Sequence, residues 1–227
     1  MSDAPEEQRA AMNDAPEEQN SLVAPRISRT RAALTVVVGL TAAGVAVGAL
    51  WAWLAPPIHG VVALTKDGDR VRAYLGSEGD HFFTAAFLLL GMSSVVAVVT
   101  AVLVWQWRAH RGPTMASALA IGSAAGAAVA AAVGAVLVRL RYGVIDVAAA
   151  PISPEHRVHY VVEAPPVFFG HSPLLIALTI MFPVASAALV YALIAVATQR
   201  DDLGAWPPVD DRQVTADGAL LSAPSSP

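Results

Sequence analysis

The chain has 227 residues, of which 56% are hydrophobic and only 14% are charged. A soluble domain carries about 25% charged and roughly 45–50% apolar residues, so this composition excludes a soluble enzyme, a nucleic-acid binder and a secreted domain. The net charge of −4 offers no polycationic surface to nucleic acid, and the absence of cysteine excludes disulfides and cysteine nucleophiles.

The first 31 residues are polar and contain a direct repeat, in which Asp3–Gln8 recurs as Asp14–Gln19. Proline, acidic residues and glutamine cannot bury enough apolar surface to offset the conformational entropy of the chain. The sequence therefore predicts a disordered cytoplasmic tail at residues 1–31. Residues 200–227 have a similar composition and predict a second disordered tail.

Four stretches without any Asp, Glu, Lys, Arg or His lie between the tails. Each exceeds the roughly 20 apolar residues that an α-helix needs to cross about 30 Å of hydrocarbon. They predict an all-α four-helix transmembrane bundle, which forms a membrane domain at residues 32–199. Its spans are expected at about 33–55, 82–107, 114–138 and 173–198.

The first long loop, residues 56–81, contains an Asp67-Gly68 pair between two β-prone runs. This pattern predicts a hairpin with a type I′ turn, because glycine accepts the positive φ that the turn requires. With Lys66 opposite Asp69, four apolar side chains share one face of the hairpin: Val62, Leu64, Val71 and Ala73.

The second long loop, residues 139–172, contains two further β-prone runs, Val144–Val147 and Arg157–Glu163. A lone hairpin is marginally stable in water. We therefore expect both loops to combine into a small extracytoplasmic β-cap on the bundle.

Basic residues beside the spans predict the orientation, because cytoplasmic loops are enriched in Lys and Arg. Three arginines precede the first span closely: Arg26, Arg29 and Arg31. With the N-terminus inside, more basic residues lie in the cytoplasm than outside. We expect a multi-pass protein of the plasma membrane with both termini in the cytoplasm.

The first and third spans carry small residues at four-residue spacing, which places them on one helical face and lets two backbones approach closely. The glycines concerned are Gly44, Gly48, Gly122, Gly126 and Gly134. We expect them to pack helices within the bundle, and homodimerisation through the same face is the alternative. Pro183, inside the fourth span, predicts a kink that is a static bend rather than a hinge.

Tyr191 is the only ionisable side chain deep within a predicted span. Ion-coupled transporters and proton relays place Asp, Glu, His or Arg at membrane depth, so this class is disfavoured. The chain contains no G-x-S-x-G, P-loop, G-x-G-x-x-G or H-E-x-x-H pattern. We therefore expect no enzymatic activity and no cofactor.

Two arginines at the end of the third span, Arg139 and Arg141, are candidates for a lipid-phosphate site. Guanidinium groups bind phosphate oxygens in a bidentate manner. Residues two apart do not share a face of a continuing helix. The alternative role is to anchor the helix by snorkelling or to pair with loop carboxylates.

Glu78, Asp80 and His81 form an external polar cluster before the second span, with an acid, a base and an imidazole close in sequence. Their spacing matches no hydrolase signature, and Asp80 is also in a typical position to cap the helix. Five histidines in the external loops are candidates for a zinc or copper site: His59, His81, His156, His159 and His171. Solvated loop histidines are the favoured interpretation, so no metal is predicted.

The stretch Trp51–Gly60, followed by Ala73–Phe83, resembles an uncharacterised family of four-span membrane proteins from mycobacteria and related actinobacteria. The resemblance covers about residues 30–200 and leaves out both tails. It implies a location in the plasma membrane. It implies no activity, because the family is itself a domain of unknown function, and no functional residues are carried over.

The sequence favours a non-enzymatic accessory or scaffold protein, acting through its external cap and the small-residue faces of its helices. Its expected partners are the lipid bilayer and another membrane protein or a second copy of itself, with no nucleic acid. The alternative function is binding or carriage of an anionic lipid at the outer leaflet, through Arg139 and Arg141.

Overall fold

The four uncharged runs form four long α-helices in the computed structural model, which describes residues 28–198. Each helix is long and apolar enough to cross a membrane. The helices are α1 (Arg29–Leu54), α2 (His81–Trp105), α3 (Pro113–Tyr142) and α4 (Pro173–Ala197). Their ends lie within four residues of the predicted spans.

A serine sets where the first helix begins. Ser28 precedes α1, and its side chain accepts a hydrogen bond from the backbone N–H of Arg31 at 3.3 Å, as N-cap residues do. Residues 29–31 therefore belong to the helix, and the prediction that they are part of the tail is wrong. The rest of both predicted tails lies outside the described residues.

α1 packs mainly on α3, and the small residues make this close approach possible. A β-carbon at Gly44 would overlap the carbonyl oxygen of Gly126, and one at Gly126 would lie 2.7 Å from the carbonyl oxygen of Leu40. Gly48, Gly122 and Gly134 also face the other helix of this pair. The face proposed for homodimerisation is thus occupied within the monomer.

α4 packs on α2 and α3 and runs without interruption through Pro183, which is buried in the bundle. The kink expected at Pro183 remains a prediction. One buried cluster lies near the sheet and is centred on Trp51, and a second lies at the opposite end and includes Met115 and Tyr191. The outward sides of the helices stay apolar and exposed, as at Leu34 (61%), which is typical of helices in lipid.

The loops at one end of the bundle form a three-stranded antiparallel sheet of order β2-β1-β3, which we call the cap sheet. Its strands are β1 (Ile58–Leu64), β2 (Arg70–Tyr74) and β3 (Val158–Glu163). The prediction that both loops build one small sheet is confirmed.

The segment after α3 departs from the prediction, because Val144–Val147 forms no strand. The Arg70 guanidinium instead donates hydrogen bonds to the carbonyl oxygens of Val147, Ala148 and Ala150. These bonds fasten the segment to the cap sheet and satisfy carbonyl groups that a strand would have paired.

The predicted register of the hairpin is wrong by one residue. Leu64 lies opposite Arg70, and Thr65 donates its backbone N–H to the carbonyl oxygen of Asp69 at 2.8 Å. The loop therefore has three residues instead of two, with Gly68 at φ +93°. Because side chains alternate along a strand, this shift moves every residue of β2 to the other face.

The corrected register puts the two arginines of β2 on the inner face of the cap sheet. Arg70 and Arg72 share this face with the fully buried Ile58 and Val62. The outward face is apolar apart from His59 and consists otherwise of Val61, Ala63, Val71, Ala73, Val158, Tyr160 and Val162. Antiparallel sheets usually present their polar face to solvent, so the cap sheet has the reverse arrangement.

Candidate functional site

A cleft of about 500 Å³ lies between the cap sheet, the end of α3 and the segment that leads into α4. We call it the cap cleft. Four polar side chains line it, namely Arg72, Arg139, Glu163 and His171. Much of the remaining wall is apolar and includes Val138 and Phe168.

The elements of the fold bring these polar groups together from distant parts of the chain. Arg72 comes from β2, Glu163 ends β3, Arg139 lies in the last turn of α3, and His171 precedes α4. Since β1 is the central strand, Arg72 reaches across it on the inner face, and its Nη1 lies 2.9 Å from Oε1 of Glu163.

The other two basic groups have no such partner. Within residues 28–198, the side chains of Arg139 and His171 form no ion pair or hydrogen bond. The cap cleft therefore offers a free guanidinium group and an imidazole beside an apolar wall. This arrangement suits a ligand with a negatively charged group and an apolar part.

The two arginines predicted to act together are separated. Arg139 lines the cap cleft, whereas Arg141 is not among its lining residues and lies over the ring of Tyr142, 5.2 Å from its centroid. The helix continues to Tyr142, so residues two apart point in different directions. Only Arg139 of the two lines the cap cleft, and a joint site of both guanidinium groups stays a prediction.

In the structure, the external polar cluster is centred on the carboxylate of Glu78. Its Oε2 accepts the backbone N–H of His59 at 2.9 Å and lies 3.0 Å from Nδ1 of His59 and 3.1 Å from Nδ1 of His81. These hydrogen bonds, first the backbone N–H of His59 and then its side chain, lower the pKa of Glu78. The Glu78 carboxylate therefore links β1, through His59, to the start of α2, through His81.

Asp80 does not take the role predicted for it. A 3₁₀ turn, Glu78–Asp80, leads directly into α2, and the Asp80 side chain makes no capping hydrogen bond. Residues 28–198 contain no group of three or more His, Cys, Asp or Glu side chains arranged to hold a metal ion.

Sequence reasoning missed Arg72, Glu163 and His171 as members of one site. No motif connects them, since the three residues span about a hundred positions. The signal that joins Arg72 to Glu163 is the strand order β2-β1-β3 together with the register, and neither can be read from spacing alone.

The comparisons confirm the resemblance to uncharacterised mycobacterial proteins. A family described as a protein of unknown function (DUF2567) matches residues 40–205. The chain belongs to this family. The match extends from within α1 to beyond α4 and so includes the whole cap cleft.

Similar proteins occur in mycobacteria. The uncharacterised protein Rv1591 of Mycobacterium tuberculosis is 55% identical over 192 residues, which cover 84% of this chain and 99% of that protein. The uncharacterised protein ML1222 of Mycobacterium leprae is 53% identical over 176 residues, covering 78% of this chain and 89% of that protein. No solved structure matches the chain.

Proposed function

We propose that this chain is an integral plasma-membrane protein that binds an anionic lipid in the cap cleft, without catalysing a reaction on it. One observation carries the proposal. Arg139 and His171 line a cleft that has an apolar wall at one end of the bundle, and they have no carboxylate partner within residues 28–198. A free guanidinium group is a strong, directional binder of phosphate oxygens.

The apolar wall favours a lipid over a soluble anion. Val138 and Phe168 line the cleft, and Val138 belongs to the buried cluster of the bundle near the sheet. The α3 residues that line the cleft run from Ala135 to Arg139. At about 1.5 Å per residue they span roughly one helical turn, so the apolar wall adjoins the charged end. A lipid can place its phosphate at Arg139 and its acyl chain along this wall.

The proposed orientation puts the cap sheet outside the cell and both termini in the cytoplasm. The end of the bundle opposite the cap carries four arginines and no carboxylate within residues 28–198: Arg29, Arg31, Arg108 and Arg111. Six basic residues lie at the cap end, whereas over the whole sequence eight arginines precede or begin α1, connect α2 to α3 or follow α4, and this excess supports a cytoplasmic location for their side. The lipid would then be bound from the outer leaflet.

The test is native mass spectrometry of the protein in nanodiscs that contain phosphatidylglycerol or only phosphatidylcholine. We expect a defined phosphatidylglycerol adduct that Arg139→Gln weakens about tenfold. Arg141→Gln is the matched control, because it removes the same charge two residues away and outside the cleft. Equal losses in both variants, or displacement of the lipid by soluble glycerol phosphate, would overturn the proposal of a lipid site.

A second candidate is the accessory or scaffold function, and a different observation favours it. The outward face of the cap sheet exposes Val158 (51%), Tyr160 (72%) and Val162 (41%) without covering groups from residues 28–198. Exposed apolar patches mark interaction surfaces. A partner polypeptide retained in native mass spectra of wild type and Arg139→Gln, but lost in Tyr160→Glu, would support this function. Retention in all three proteins would contradict it.

A further inference from the structure

We infer that the cap cleft prefers a lipid headgroup with a single negative charge, a phosphodiester, over a phosphomonoester, which can carry two. Glu163 determines this preference. The inference rests on the proposed function and adds the chemical class of its ligand. It follows from the balance of charges in the cleft and from the fixed position of one carboxylate.

The cleft is lined by two guanidinium groups and one carboxylate. Arg72 is neutralised by Glu163, whose Oε1 lies 2.9 Å from its Nη1. Arg139 is therefore the one uncompensated permanent charge, with the His171 imidazole as an additional hydrogen-bond donor. One negative charge on the ligand balances this set, and a second would have no cation of its own.

Glu163 is held in place, so it cannot move away from an approaching phosphate. It lies on the inner face of the cap sheet opposite Ile58, and two prolines follow shortly after it, Pro165 and Pro166. Its Oε2 is enclosed by the protein and has no hydrogen-bond partner within residues 28–198. Since Oε2 is enclosed, Glu163 acts on the ligand through its charge and not through a direct hydrogen bond.

A dianionic phosphate at Arg139 would bring into the cleft a second negative charge that no unpaired guanidinium group balances, because Arg72 is already paired with Glu163. An uncompensated charge of this kind rejects one ligand without any loss of contacts to the other. The wild-type protein should therefore prefer a phosphodiester lipid about tenfold.

The experiment compares phosphatidylglycerol, a singly charged diester, with phosphatidate, a monoester that carries a second charge at pH 8.5. Both are offered in phosphatidylcholine nanodiscs, and adducts are quantified by native mass spectrometry. At pH 8.5 we expect wild type to favour phosphatidylglycerol about tenfold. Glu163→Gln should bring the ratio close to one, and Arg141→Gln should leave it unchanged.

A second measurement needs no variant and so does not depend on folding. At pH 5.5, where phosphatidate is mostly singly charged, wild type should bind the two lipids about equally. Phosphatidylglycerol carries the same single charge at both pH values, so its adduct controls for any change in the protein between them. Equal binding at pH 8.5, or a ratio that Glu163→Gln does not change in a folded protein, would overturn the inference alone. If Arg139→Gln weakens no lipid adduct, the proposed function itself is overturned.

Discussion

The indole ring of Trp51 occupies the space beside Gly134 that a side chain would need. A β-carbon at position 134 would lie 2.7 Å from Cε3 of Trp51. The same indole donates its Nε1–H to the carbonyl oxygen of Ala85 at 2.7 Å. One fully buried side chain of α1 thus contacts both α2 and α3 directly below the cap sheet.

Gly134→Ala should destabilise the bundle, because neither the indole ring nor the α3 backbone can give way easily. Overpacking of this kind costs typically about 1–3 kcal/mol. The free energy of unfolding, measured by denaturant titration in one detergent, checks the prediction. Gly91→Ala in α2 is the control, since nothing lies within 4 Å of a β-carbon there. Equal destabilisation by both substitutions would contradict the packing argument.

Trp51→Phe keeps most of the apolar contacts and removes the hydrogen bond to Ala85. We expect a loss of about 1 kcal/mol of stability from the bond, with a further contribution from the smaller ring. Trp53→Phe is the matched control in the same helix, because Trp53 is 73% exposed. The midpoint of thermal unfolding should be lower for Trp51→Phe than for Trp53→Phe. A similar midpoint for both would show that the buried indole adds nothing to the stability of the fold.

Arg70→Gln should release the segment after α3 from the cap sheet. The substitution removes the hydrogen bonds to Val147, Ala148 and Ala150, while the sheet register does not depend on them. Hydrogen exchange of the peptides covering residues 143–157 should rise at least severalfold. Lys66→Gln, in the exposed hairpin loop, should leave the exchange of that segment unchanged.

Acid should weaken the contact between β1 and the start of α2. The pKa of Glu78 is lowered in the folded protein, so its stabilising contribution is complete above the ordinary glutamate pKa of about 4.3. That contribution disappears as the pH falls through the lowered value. We expect the protection of the His59 amide, measured relative to its intrinsic exchange rate at each pH, to fall in this acidic range, and Glu78→Gln to abolish this dependence. An unaltered profile in Glu78→Gln would contradict it.

The helical part of the fold could be predicted from the sequence because one physical requirement controls it. Each span must present about 20 uncharged residues to hydrocarbon. Charged residues therefore lie close to the ends of each span. The cap sheet was predictable only in part. An Asp67-Gly68 pair fits a two-residue and a three-residue loop equally well, and the choice between them decides which face Arg70 and Arg72 occupy.

The candidate site was predictable only at Arg139. Its position at the end of a span is visible in the sequence, whereas the separation of Arg141 depends on the helix continuing to Tyr142. The pairing of Arg72 with Glu163 depends on the strand order, which brings together residues from loops that two helices separate. No local pattern in the sequence predicts such a contact.

The strand order also has a consequence for synthesis. β1 and β2 leave the ribosome before α2 and α3, but the partner that completes the central strand is β3, nearly a hundred residues later. Until then, one edge of β1 has no partner from the sheet, and Arg72 lacks its carboxylate. The cap cleft can therefore form only after α3 and β3 have been synthesised, which makes its assembly a late step in the folding of the protein.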